Sequence, residues 1–171
     1  KDCGGSGRVK DNVTISVTIP AGVDNESVIP IKGQGEPGIN GGPDGDLYIV
    51  INVKPHKLFE RRGQDLWLEI PITFDQAALG DDIVVPTLEE KVSYKVPAGT
   101  QPGTVFRLKG KGIKSVRSSK KGDLYVKVTL EIPTKLNAKQ KKAIATMAKS
   151  VTSDCYHKKS SFLDSIKEFF S

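Results

Sequence analysis

Residues 20 to 53 return as residues 97 to 130, and this internal repeat limits the possible folds more than any other feature of the chain. Without a gap, 11 of the 34 aligned positions are identical at a constant offset of 77. Pro20-Ala21-Gly22 returns as Pro97-Ala98-Gly99, and Lys32-Gly33-Gln34-Gly35 as Lys109-Gly110-Lys111-Gly112. Gly45-Asp46-Leu47-Tyr48 returns as Gly122-Asp123-Leu124-Tyr125. A period this long makes each copy a body of its own and not one coil of a solenoid. Both copies spell a Pro-Ala-Gly turn, a short apolar strand, a Gly-x-Gly loop and a Gly-Asp turn that launches another strand.

Along copy one, Val13, Ile15, Val17 and Ile19 alternate with polar residues and predict a half-buried strand ended by Pro20. Val28 to Ile31 reads as a second short strand. The stretch from Gly33 to Gly45 holds six glycines and two prolines and predicts an irregular surface loop. Leu47, Ile49, Ile51 and Val53 restore the period of two.

The second copy begins near Phe59. Arg62-Gly63-Gln64 predicts a turn, followed by Leu66, Leu68, Ile70 and Ile72 on one strand face. Asp75 to Gly80 has room for one helical turn. Val84-Val85 and Val92, Tyr94 and Val96 read as strands around Leu88-Glu89-Glu90, and Leu124, Val126, Val128 and Leu130 form the last. Trp67 falls on the face opposite Leu66 and Leu68, either under a loop or in a contact. Phe59, before Glu60-Arg61-Arg62 at the boundary, reads as an anchor between the two bodies. Copy one has fewer strands ahead of its Pro-Ala-Gly turn, so an edge is expected to be open or completed by other sequence.

After Pro133 the period becomes helical. Asn137 with Gln140 predicts a capped helix bearing Ile144, Met147, Ala148 and Val151 as an apolar stripe. A polar break over Ser153 to Lys159 precedes a short helix capped by Ser161 with Asp164. Phe162, Leu163, Ile166, Phe169 and Phe170 crowd that helix with apolar surface, which predicts a contact between subunits.

Only His56 and His157 are present, and neither has a ligand or triad spacing, so an enzyme is not expected. Two cysteines 152 positions apart give no disulfide framework and point to a reducing, cytoplasmic setting. No run of apolar residues is long enough for a membrane span. The net charge of +6 is concentrated in part at Lys109, Lys111, Lys114, Arg117, Lys120 and Lys121. A nucleic-acid-binding tandem β module using loop 109–121 is the alternative reading. The loop lacks interleaved aromatics, and copy one carries Glu36 and Asp44 at the matching place, which favours solvated or protein-facing surface.

Taken in order, Cys3-Gly4-Gly5-Ser6-Gly7, the Pro-Ala-Gly turn, Gly45-Asp46-Leu47-Tyr48 and His56-Lys57-Leu58-Phe59 resemble the C-terminal region of the DnaJ family. Ala78-Leu79-Gly80, Val85-Pro86-Thr87-Leu88, the Gly110-Lys111-Gly112 loop and Gly122-Asp123-Leu124 extend the resemblance over essentially the whole chain. The family comprises J-domain co-chaperones, here of the zinc-containing type I class, bacterial or organellar. The resemblance implies a mainly β fold of two tandem small β-sandwich domains, the first truncated, followed by a C-terminal helical dimerisation segment. It implies a zinc-repeat remnant at 1–8, a truncated peptide-binding sandwich at 9–57, a second sandwich at 58–133 and the helical segment at 134–171. Unfolded polypeptide is expected to bind near Val28, Ile29, Ile31 and Phe59. A homodimer is expected through Ile144, Met147, Val151, Phe162, Leu163, Ile166, Phe169 and Phe170. Cys3 is the remnant of a zinc ligand set, so zinc is expected in the full-length protein and no cofactor here. The chain has no His-Pro-Asp motif, so clients would reach the seventy-kilodalton heat-shock chaperone only through the full-length protein.

Overall fold

The computed structural model describes residues 12–170. The expected zinc-ligand remnant at Cys3 lies outside the described residues. These residues fall into two compact units that meet in sequence between Glu131 and Ile132. The first is built of β modules and the second of helices.

In copy one, β1 (Val28–Ile31) pairs antiparallel with β2 (Leu47–Val50). Copy two holds β3 (Glu60–Arg62), β4 (Asp65–Ile72), helix α1 (Phe74–Leu79), β5 (Asp81–Pro86), β6 (Lys91–Val96), β7 (Val105–Leu108) and β8 (Leu124–Leu130). Four of its strands form one sheet in the order β3-β4-β8-β7, and β5 pairs with β6 in another. The pairing of β4 with β8 is parallel, with Leu66 beside Leu124 and Ile72 beside Leu130. The other neighbours are antiparallel.

Period-two patterning explains where the core lies. Leu66, Leu68 and Ile72 of β4 and Leu124, Val126 and Val128 of β8 point to the same side and are buried. They join Ile83 and Val85 of β5, Val96 of β6, Leu108 of β7, Ala77 and Phe59 in one cluster. Each fully buried aliphatic side chain contributes roughly 1.5–3 kcal/mol by leaving water.

The opposite face of β4 carries Trp67, whose ring stacks on Tyr125 at 4.9 Å and lies beneath the Arg62 guanidinium at 4.4 Å. Thus Trp67 sits between a neighbouring ring and a cation.

Several sequence expectations are corrected. Residues 13 to 19 form no strand: Ile15 and Val17 are half-buried in the expected alternation, but no described strand pairs with them. Alternation encodes which side chains are sheltered, whereas a strand also needs a hydrogen-bonding neighbour. Strand β2 ends at Val50, before Ile51 and Val53. Helix α1 extends to six residues, since Thr73 N–H donates to the Gln76 side chain at 3.0 Å and holds its first turn closed.

The helical unit holds α2 (Ala138–Ser150) and α3 (His157–Phe169), with a 3-10 turn over Ser153–Cys155 between them. Asn137 caps α2 as expected: its Oδ1 accepts from Gln140 N–H at 2.9 Å, while Asn137 N–H donates to the Gln140 side chain at 2.8 Å. By contrast α3 starts at His157, four residues before the expected cap. Ser161 lies inside it, with Oγ 3.3 Å from His157 Nδ1. The supposed polar break contains lysines, which propagate a helix readily once it is started. No described helix is long and apolar enough to cross a membrane.

Candidate functional site

Strands β1 and β2 form a ribbon with apolar side chains on both faces. One face presents Val28, Pro30, Tyr48 and Val50, where Val28 is 52%, Tyr48 62% and Val50 65% exposed. The other presents Ile29, Ile31, Leu47 and Ile49, all half-buried. Of the sequence-predicted site residues, Ile29 and Ile31 therefore share a face, and Val28 points the other way. Among the described residues, the outer edges of β1 and β2 have no strand partner.

The ribbon is held at both ends. At its base, Glu26 N–H donates to the Ile51 carbonyl at 2.8 Å and Ile51 N–H to the Ser27 carbonyl at 2.9 Å. At its loop, Gly33 N–H donates to Asp46 Oδ1 at 3.0 Å, and Gly35 N–H to the Gly45 carbonyl at 2.7 Å. Copy two repeats both bonds, from Gly110 N–H to Asp123 Oδ1 at 2.7 Å and from Gly112 N–H to the Gly122 carbonyl at 2.9 Å. The Gly-Asp signature thus fastens the Gly-x-Gly loop in each copy. In copy two Arg107 also pairs with Asp123. The Gly110 amide first, and Arg107 second, hold the Asp123 carboxyl below the usual aspartate range.

Phe59 is 8% exposed and belongs to the core of copy two. Its ring lies 5.0 Å from that of His56, whose Nδ1 accepts from Leu58 and Phe59 N–H groups at 3.1 and 3.3 Å.

Sequence reasoning gave no role to Arg61. Its guanidinium donates to the Val23 carbonyl at 2.6 Å and the Gly22 carbonyl at 3.1 Å, and lies 3.6 Å from Asp24. Arg61 therefore ties copy two to the Pro-Ala-Gly turn of copy one. The signal was available in the alternation of β3, which turns Arg61 inward between outward-facing Glu60 and Arg62.

That turn packs beside the basic loop. An open cleft of about 380 Å³ lies between them, lined by Pro20, Ala21 and residues 114–119. The loop's charge is partly answered from the β5–β6 turn, because Lys111 pairs with Glu90 at 2.7 Å and Lys121 with Glu89. Hydrogen bonding from Lys121 lowers the Glu89 pKa, and Glu90 raises that of Lys111.

In the helical unit, Phe162, Leu163, Ile166, Phe169 and Phe170 are all exposed, with Phe169 at 82% and Phe170 at 81%. Ile144 is exposed, and Met147 and Val151 are half-buried. Neither helix contributes a buried residue. Among the described residues no three His, Cys, Asp or Glu side chains gather as metal ligands. Two cysteines in the whole sequence do not make a four-thiolate zinc set.

Comparison with known proteins agrees with this architecture. Residues 6–133 match the family model described as the DnaJ C terminal domain. The chain is 52% identical over 166 residues to the Chaperone protein DnaJ of Acetivibrio thermocellus, covering 97% of this chain and 43% of that protein. It is 56% identical over 157 residues to that of Clostridioides difficile, covering 92% and 41%. For Parageobacillus thermoglucosidasius the figures are 60% over 142 residues, covering 83% and 37%. The chain thus spans less than half the length of these curated relatives. With the tandem β modules and the family match in agreement, the chain belongs to the DnaJ C terminal domain family.

Proposed function

We propose that this chain is the part of a co-chaperone that holds unfolded polypeptide and joins two copies of the protein, without catalysing a reaction. The observation that carries this reading is the β1–β2 ribbon, which combines strand edges unpaired among the described residues with apolar side chains on both faces. An extended client segment added along such an edge gains main-chain hydrogen bonds whatever its sequence, while apolar side chains beside it select greasy clients. Ile29 and Ile31 on one face, or Val28 on the other, supply that selection, and Phe59 acts on the site only from within the core of copy two. In this reading residues 9–57 form the truncated peptide-binding module, 58–133 the second module and 134–171 the dimerisation segment, after a zinc-repeat remnant at 1–8. Delivery of clients to the seventy-kilodalton heat-shock chaperone, and zinc binding, belong to the full-length protein. The relatives' shared name, Chaperone protein DnaJ, supports the assignment.

Fluorescence polarisation with a labelled apolar unfolded peptide tests the ribbon. Val28→Asp and Ile29→Asp place a charge on opposite faces, and neither residue belongs to the core. One of the two is expected to weaken binding about tenfold or more, which also identifies the client face. Unchanged affinity in both would overturn the site. Phe59→Ala is the poorer probe, because removing a core phenylalanine costs about 3–5 kcal/mol of stability by itself.

A further inference from the structure

The duplicated loops share a framework and differ in charge. Each is closed by the same two bonds, glycine N–H to aspartate and glycine N–H to glycine carbonyl. In copy one that framework carries Lys32, Glu36 and Asp44; in copy two it carries six cations, of which only Lys109 has a counterpart, Lys32. The other five cations are thus not needed to build the loop. Two of them, Lys111 and Lys121, are matched by Glu90 and Glu89, but among the described residues Lys114 and Arg117 have no ion-pair partner, and they line the cleft against Pro20 and Ala21.

The rest of the lining is chemically specific. Ser115, Ser118 and Ser119 bring hydroxyls, and Val116, Pro20 and Ala21 bring apolar surface. Ser115 Oγ accepts from Arg117 N–H and Ser118 Oγ from Lys120 N–H, both at 3.3 Å, which fixes the turn. Among the described residues, the N–H groups of Ser118 and Ser119 find no acceptor. The cleft thus offers two cationic side chains and two backbone donors, and a guanidinium fork matches a carboxylate.

We propose that this cleft is a second polypeptide site that takes acidic segments of a client, a proposal that rests on the peptide-binding reading above and names a further substrate class for it. Two unpaired cations over a small apolar floor suit a chain in which carboxylate and short apolar side chains alternate. Nucleic acid fits less well: no aromatic side chain lines the cleft to stack a base, and the charges form a point and not a stripe along which a phosphate backbone could run.

The test uses the full chain and a labelled peptide of alternating glutamate and alanine. Lys114→Ala with Arg117→Ala is expected to weaken its binding about tenfold or more, while the uncharged apolar peptide binds as before. Lys91→Ala with Lys95→Ala, on exposed positions of β6, removes the same net charge and is expected to change acidic-peptide affinity less than about twofold. Equal losses in the two double variants, or no loss in either, would overturn the proposal. So would tighter binding of a single-stranded oligothymidylate that is lost with Lys114 and Arg117. If the acidic peptide binds as expected while the apolar peptide does not bind the unaltered chain, the ribbon reading fails and this site stands.

Discussion

Asp46 and Asp123 occupy equivalent places and receive the same glycine N–H, yet Arg107 backs only Asp123, because copy one has Pro30 at the matching position. Asp123→Asn is therefore expected to lower the urea midpoint more than Asp46→Asn at neutral pH. The folded state holds the Asp123 carboxyl below the ordinary aspartate value of 3.8. Its contribution is complete above that value and is lost as the pH falls from there through the lower folded value. The gap between the unaltered chain and Asp123→Asn should close over that acid window, as read by urea unfolding at a series of pH values. Gly22 and Gly99 form a second informative pair. Both have positive φ, +94° and +77°, but a Cβ on Gly22 would stand 1.9 Å from the Lys114 carbonyl oxygen, whereas Gly99 has open space. Gly99→Ala is expected to cost about 1–2 kcal/mol of backbone strain, and Gly22→Ala clearly more, in equilibrium unfolding.

At the scale of elements, the stability of copy two rests on β4 and β8. Leu124 is fully buried at the start of β8 beside Leu66, so Leu124→Ala is expected to cost about 2–5 kcal/mol. Val84→Ala, on the exposed face of β5, should stay within about 0.5 kcal/mol. The strands themselves were legible, since alternation in Leu66, Leu68, Ile70 and Ile72 and in Leu124, Val126 and Val128 states which side is dry. Their parallel pairing was not, because period two is the same whichever neighbour a strand takes. The same blindness made residues 13 to 19 read as a strand. In the tail, Asn137 announced α2 correctly, while Ser161 with Asp164 imitated a cap inside α3. Helix starts are local and can be mimicked wherever a short polar residue precedes an acid by three. For the candidate site, the residues Val28, Ile29 and Ile31 were visible as apolar positions. Arg61 was missed, as its role depends on two carbonyls 38 and 39 residues away.

For the whole molecule, the helical unit sets the question of assembly. Helices α2 and α3 have 13 residues each and bury none of them, and isolated helices of that length are marginal in water. Their apolar residues need a cover, and a second copy of the chain supplies it in the reading proposed here. Sedimentation is expected to show a dimer at tens of micromolar, and the helical circular-dichroism signal should fall together with the dimer on dilution. Phe162→Ser with Phe169→Ser should shift the equilibrium to monomer and lower helicity, leaving the β signal in place. A monomer at all these concentrations with full helicity would contradict the dimer.

The parallel contact between β4 and β8 also dictates an order of events during synthesis. Leu66 must wait for Leu124, so while the intervening residues leave the ribosome, one side of β4 and the greasy face it carries stand unsheltered. A nascent chain stalled before residue 124 would expose β4, the longest of the described strands, as a sticky, half-made sheet. Synonymous codons that slow translation before Leu124 to Leu130 have cleared the ribosome are for that reason a hazard to the solubility of this protein, and the same pause placed after they have cleared it is not.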